Sequence, residues 1–265
     1  MAQPSTVLIT GAASGIGRAL AHRYASGARR LLLLDRNEPQ ATADELAASG
    51  AAVGTASADV RDAEAVASAV AELAAGDPID LVVNCAGVLP PIDPVGAVAP
   101  SDFKFTIDVN LTGSFNVVHA ALPHLRAGSA VALVASMGGL VAGYRYTAYS
   151  ASKFGVVGLA ETIRMELRQQ GISTHVICPG EVSTPMVDAE IAAGDAVQRE
   201  VKMLSGKPIT PEQAAAGIAK GIAAGEFLVI PTAQARWLSR IVRVAPVPVR
   251  HAITDLSIRR ATRHA

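Results

Sequence analysis

The chain has 265 residues, enough for one large domain or two small ones. Half of them are apolar, 17% are charged and the formal net charge is zero, so a substantial core is available and composition makes no case for nucleic acid as a partner. Only 4% are aromatic, so alanine, valine, leucine and glycine must do the packing, which suits helices laid closely on a sheet. The zero net charge hides an asymmetry. Residues 232–265 hold Arg236, Arg240, Arg243, Arg250, Arg259, Arg260 and Arg263 against Asp255 alone, and the rest of the chain is net acidic. Cys85 and Cys178 each end an apolar run and lack metal-ligand spacing, so no metal is expected and both read as buried free thiols of a reducing compartment. No basic-then-apolar leader opens the sequence and no apolar run is long enough to span a bilayer. A cytoplasmic protein is expected.

In chain order, residues 6–9 read as a buried strand running into Thr10-Gly11-Ala12-Ala13-Ser14-Gly15-Ile16-Gly17 and a helix over 18–26. Leu31-Leu32-Leu33-Leu34, ended by Asp35-Arg36, is apolar at every position, as in a parallel strand covered on both faces. A helix over 42–49 and a third strand over 53–58 follow, then Asp59-Val60 and a helix to residue 73 capped by Asp62. Residues 81–83 form a fourth strand, closed by Asn84-Cys85-Ala86-Gly87. Prolines make 88–100 a loop, and a long helix spans 103–125, interrupted or flexed near Gly113. A fifth strand (131–135) ends at Ser136, a glycine-containing loop covers 137–147, and the next helix runs to about residue 169. A sixth strand (175–178) stops at Pro179-Gly180, a helix with Pro211 in its first turn covers 211–224, and a last short strand covers 227–230.

This alternation predicts an α/β fold: a doubly wound parallel sheet in three α/β/α layers, with residues 1–231 as one Rossmann-type domain and 232–265 as a helical, basic, amphipathic extension. Ligands of such sheets bind beyond the carboxyl ends of the strands. Gly11, Asp35, Asp59, Asn84, Ser136 and Pro179 all fall at those ends.

Three constellations carry chemistry. The glycines at 11, 15 and 17 between a strand and a helix let backbone N–H groups approach a pyrophosphate at a helix N-terminus. Asp35, at the end of the second strand, sits where a carboxylate bonds the adenosine ribose hydroxyls and repels a 2′-phosphate. NAD is therefore expected over NADP, although Arg36 pulls the other way. Tyr149 and Lys153 are one helical turn apart, and an ammonium beside a phenol lowers its pKa from about 10 toward the range of a useful base. Tyr144 and Tyr146 have no lysine at that spacing. His22, His119, His124 and His175 match no catalytic or metal spacing.

The ordered set Thr10-Gly11-x-x-x-Gly15-x-Gly17, Asp59-Val60, Asn84-Cys85-Ala86-Gly87, Asn110, Ser136, Tyr149-x-x-x-Lys153 and Pro179-Gly180-x-Val182-x-Thr184 resembles the short-chain dehydrogenase/reductase family, in its single-domain branch of about 250 residues, over about residues 5–231. The resemblance implies that Gly11, Ser14, Gly15, Ile16 and Gly17 line the pyrophosphate turn. It implies that Asp59 and Val60 hold the adenine and that Asn84, Ala86 and Gly87 support the sheet and flank the adenosine. Ser136 would bond the substrate oxygen and Tyr149 exchange the proton. Lys153 would hold the nicotinamide ribose and tune Tyr149, and Asn110 would order a water between Lys153 and solvent. Pro179, Gly180, Val182 and Thr184 would hold the carboxamide. A homodimer or homotetramer is implied as well. Cys85 departs from the family pattern, which often has a second Asn there.

Residues 88–98, 137–146 and 181–205 are expected to shape an apolar substrate pocket with Val88, Leu89, Met137, Leu140, Val141, Tyr146, Met186, Met203 and Leu204. The expectation is an NAD(H)-dependent oxidoreductase interconverting a secondary alcohol and a ketone on a hydrophobic small molecule such as a lipid or steroid. The alternatives are an NADPH-dependent carbonyl reductase, an epimerase or dehydratase on the same scaffold, and a dinucleotide-binding regulator without turnover. For the extension two readings stay open. One is helices docked on the domain or a neighbouring subunit with a solvated basic face, favoured by the short lengths and by Pro246 and Pro248. The other is a membrane-surface segment or a lid over the pocket.

Overall fold

The computed structural model describes residues 3–188 and 208–264. Among them a seven-stranded sheet forms from β1 (Thr6–Thr10), β2 (Arg30–Asp35), β3 (Ala52–Ser57), β4 (Leu81–Asn84), β5 (Ala130–Val134), β6 (Ser173–Ile177) and β7 (Leu228–Val229). The order is β3-β2-β1-β4-β5-β6-β7 and every pairing is parallel. The order reverses between β1 and β4, which opens a crevice at their carboxyl ends.

The leucine run of β2 shows why both faces had to be apolar. Successive side chains of a strand point to opposite faces. Leu31 and Leu33 join a cluster with Leu20 and Tyr24 of α1 (Gly15–Ala25) and Ile218 and Ile222 of α7 (Pro211–Ala223). Leu32 and Leu34 join Val66, Val70 and Leu73 of α3 (Ala63–Ala74) on the other side. A third cluster sets Val131, Leu133 and Val176 against Val156, Ala160 and Leu167 of α6 (Thr147–Arg168). Burial of each such leucine contributes about 1.5–3 kcal/mol. The remaining helices before α6 are α2 (Gln40–Leu46), α4 (Pro100–Ile107) and α5 (Gly113–Ala121).

Helix starts follow the local chemistry. Asp62 accepts from the N–H groups of Glu64 and Ala65, capping α3 as its position predicts. Thr210 and Gln213 exchange side-chain and backbone bonds in a capping box at α7, with Pro211 in the first turn.

Two stretches add detail to the sequence reading. The helix expected over 103–125 is interrupted near Gly113 as expected: it comprises α4, a π-helical turn (Asp108–Thr112), α5 and a short 3-10 turn (Leu122–His124). The irregular turn falls just before Gly113, where a Cβ would come within 2.6 Å of the Val60 side chain. The extension forms α8 (Ala233–Val244) and α9 (Val247–His264), separated at Ala245–Pro246, with Pro248 in the first turn of α9. No helix among the described residues is long and apolar enough to cross a membrane.

Candidate active site

The glycine turn lies at the end of β1 and feeds α1. Gly11 has φ +66°, and a Cβ there would stand 2.9 Å from the Ala86 nitrogen. A Cβ on Gly17 would stand 2.1 Å from the Gly11 carbonyl oxygen, so the turn closes only without side chains at both places. The Ser14 side chain makes no capping bond and the first turn of α1 carries no acid, which leaves its N–H groups and partial positive charge to an anion. These features fit a pyrophosphate. Gly11, Ser14, Gly15, Ile16 and Gly17 line one cavity of about 1240 Å³.

Asp35 and Arg36 line the same cavity at the end of β2. Both Asp35 carboxylate oxygens are pinned, one by the Ala13 N–H and one by the Asn37 N–H, each at 3.0 Å. Asn37 also lines the cavity, which no motif signalled. Asp59 and Val60 lie there too. The Arg61 guanidinium bonds both Asp59 oxygens at 2.7–3.0 Å and holds that carboxyl below the usual carboxylate range. One lone pair or more remains to accept from an amino group.

Ala86 and Gly87 line the cavity, but Asn84, grouped with them, and Asn110, expected beside Lys153, are not among its lining residues. Asn84 is buried in register with Thr10 across the β1–β4 reversal, accepts from the Thr10 hydroxyl and donates to Ser114 Oγ at 2.8 Å. That makes Asn84 a tie across the switch point. Asn110, in the π-helical turn, accepts from the Val88 N–H at 2.8 Å and donates to the Val88 carbonyl at 3.0 Å and Ser152 Oγ at 2.9 Å. Ser152 in turn donates to the Tyr149 carbonyl at 2.7 Å, so Asn110 links the loop after β4 to the helix carrying Tyr149.

Ser136, at the end of β5, accepts from the Gly138 N–H at 3.0 Å, which leaves its hydroxyl proton to donate into the cavity. Tyr149 and Lys153 lie one turn apart in α6 and both line the cavity. Lys153 Nζ is 5.6 Å from the centre of the Tyr149 ring and donates to the Val134 carbonyl at 2.9 Å. Burial pulls the Lys153 pKa down to about 8, so the side chain is still mainly cationic at neutral pH. Cys85 lies nearby, but burial pushes its thiol up to about 12, so it supplies no thiolate.

Pro179, Gly180, Val182 and Thr184 line the cavity after β6. So do Leu89, Met137, Leu140, Tyr146 and Met186, with Val88 and Val141. Met203 and Leu204 lie outside the described residues. The extension, for which a lid over the pocket is one of the open readings, supplies a further wall whose residues the sequence did not single out. Trp237, Ile241 and Ala245 from the α8 end, and His251, Thr254, Asp255 and Ile258 from α9, line the same cavity. The last four recur at the i, i+3, i+4, i+7 spacing of one helix face, a signal present in the sequence but without a partner to assign it to.

The model of the short chain dehydrogenase family matches residues 5–194. The chain belongs to the short-chain dehydrogenase/reductase family. It is 39% identical to 3-dehydrosphinganine reductase TSC10B of Arabidopsis thaliana over 231 residues, 84% of this chain and 68% of that protein. It is 33% identical to 1-deoxy-11-beta-hydroxypentalenate dehydrogenase of Streptomyces avermitilis over 242 residues, 88% and 87% of the two chains. A crystal structure of a short chain dehydrogenase from Mycobacterium paratuberculosis bound to NAD superposes with a TM-score of 0.75 at 25% identity, covering 85% of this chain and 95% of that one. The protein is thus an oxidoreductase of the alcohol/carbonyl pair that works with a nicotinamide dinucleotide.

Proposed function

We propose that the protein interconverts a secondary alcohol and a ketone on a bulky, mostly hydrocarbon molecule, with NAD(H) as the preferred dinucleotide and Tyr149 as general acid/base. The observation that carries this reading is the convergence of Ser136, Tyr149 and Lys153 on the cavity that also holds the glycine turn. The dinucleotide supplies or accepts the hydride when bound. The chain's own residues then position an oxygen and move one proton. Ser136 donates to the substrate oxygen. Tyr149 takes the hydroxyl proton in oxidation and returns it in reduction. The Lys153 ammonium favours the phenolate that the oxidative step needs. Asn110 holds α6 in place through Ser152 and Val88.

The substrate class rests on two supports. The cavity lining includes Leu89, Met137, Leu140, Met186, Ile241 and Ile258, with Glu181 and Asp255 as the carboxylates outside the expected dinucleotide site. Two relatives are named for 3-dehydrosphinganine and a hydroxypentalenate, both mainly hydrocarbon. The cofactor preference rests on Asp35, whose pinned carboxylate would meet a 2′-phosphate with like charge. Arg36 on the same wall favours the runner-up, an NADPH-dependent reductase.

A panel of long-chain and polycyclic ketones and secondary alcohols, offered with each reduced and oxidised dinucleotide, tests the reading by cofactor absorbance. Turnover of apolar substrates with NAD(H) is expected. Cofactor binding without turnover of any alcohol or ketone would contradict it.

A further inference from the structure

The two helices after the last strand present different chemistry on their two sides. On α8, Ala235 and Ser239 are buried against the domain, Ala235 packing with the core cluster around α6, and Arg236 donates to the Ile230 carbonyl at 3.0 Å. The opposite side is bare. Trp237 is 68% exposed and Val244 83% exposed, and Arg240 is exposed between them. Trp237, Arg240 and Val244 stand at i, i+3 and i+7, so they share one face. Beyond Ala245, Val247, Val249 and Leu256 of α9 are about half exposed as well.

Charge and position narrow what could cover this face. The 34-residue stretch from 232 carries seven arginines and one carboxylate, and that carboxylate, Asp255, lines the cavity. An acidic protein patch would match the arginines but leave the scattered valines and the indole without a deep partner. An anionic lipid surface matches both, because its phosphates attract arginines while its acyl boundary takes short apolar side chains and an amphipathic indole. Trp237 also sits at a rim: it is exposed on α8 and, with Ile241 one turn on, lines the cavity.

We propose that α8 and α9 dock this enzyme on an anionic membrane surface through Trp237, Arg240 and Val244, with the mouth of the substrate cavity at the lipid boundary. The docking does not depend on the substrate reading above; only the delivery of an apolar substrate from the bilayer into the cavity rests on it.

Trp237 is the only tryptophan of the chain, so its fluorescence reports on this face and on the cavity rim beside it. The full chain is titrated with phosphatidylcholine vesicles and with mixed phosphatidylcholine/phosphatidylglycerol vesicles, following Trp237 emission and co-sedimentation in the absence of substrate. The mixed vesicles are expected to blue-shift the emission and sediment the protein, and salt at about 1 M, where the screening length falls to roughly 3 Å, is expected to release it. The double variant Arg240→Glu/Val244→Asp is expected to weaken partitioning at least about tenfold. Because neither residue lines the cavity, its turnover of a short water-soluble substrate should stay at the wild-type level, and that also controls for folding. Unchanged emission with anionic vesicles would overturn the proposal, as would equal binding by the double variant. A concentration-dependent blue shift without vesicles, abolished in the double variant, would overturn it in favour of a second copy of the chain on this face.

Discussion

The Lys153 ammonium lies 5.6 Å from the centre of the Tyr149 ring and is anchored at 2.9 Å to the Val134 carbonyl at the end of β5. One end of the pair is therefore fixed by the sheet and the other faces the cavity. The cost of that arrangement is a buried cation.

This cost has a measurable pH signature. Burial lowers the Lys153 pKa to about 8, against about 10.4 for a free side chain. Below about pH 8 both folded and unfolded chains hold the proton, and the full penalty of burying the charge is present. Between about 8 and about 10.5 the unfolded chain holds more protons than the folded one, so the Lys153 contribution to stability rises with pH. In apoprotein, the unfolding free energy of wild type minus that of Lys153→Met should therefore rise across this window, by on the order of 3 kcal/mol. Denaturant unfolding at a series of pH values checks it. Parallel profiles for the two proteins would show that the ammonium is not buried as described.

Asp35 should decide between the two dinucleotides. Its oxygens are held by the Ala13 and Asn37 N–H groups, so the charge cannot swing away from a 2′-phosphate. Asp35→Ser should shift the ratio of kcat/KM for NAD to that for NADP toward NADP by at least about tenfold, with Arg36 left to hold the phosphate. Steady-state kinetics with both cofactors gives the ratio. A variant with an unchanged ratio would remove Asp35 from the specificity account.

Gly11→Ala should damage both the fold and the cradle. The residue has a positive φ, and the new Cβ would sit 2.9 Å from backbone atoms of Cys85 and Ala86. A loss of roughly 1–3 kcal/mol in stability is expected from the strain and the overpacking. Calorimetric titration should show dinucleotide affinity falling as well. Asp62→Ala is the contrasting case. It removes the α3 cap and should cost about 0.5–2 kcal/mol while leaving dinucleotide affinity unchanged.

Much of this was legible in residue order. The Leu31–Leu34 run announced a strand covered on both faces, and the glycines at 11, 15 and 17 announced the turn. What the sequence hid is tertiary. Asn84 is expected both to support the sheet and to flank the adenosine, and the β1–β4 register turns it onto Thr10 and Ser114, in keeping with the first role, and not into the cavity. Asn110 sits in a helix whose sequence announces an irregularity near Gly113 but not its form. The π-helical turn that brings it to Val88 and Ser152 coincides with the close packing of Gly113 on Val60, a contact between distant segments. The prolines located the break between α8 and α9 to within a few residues, but periodicity has no information on which cavity the His251–Ile258 face would line.

The central claim is that Tyr149 moves the proton, and Tyr149→Phe tests it most directly because the ring and its packing survive while the hydroxyl is lost. Turnover of an apolar ketone or alcohol substrate by wild type and variant should be measured together with NAD(H) affinity. The account predicts a fall in kcat of about 10²–10⁴, with the dissociation constant for the dinucleotide nearly unchanged. A variant that turns over at the wild-type rate would contradict it.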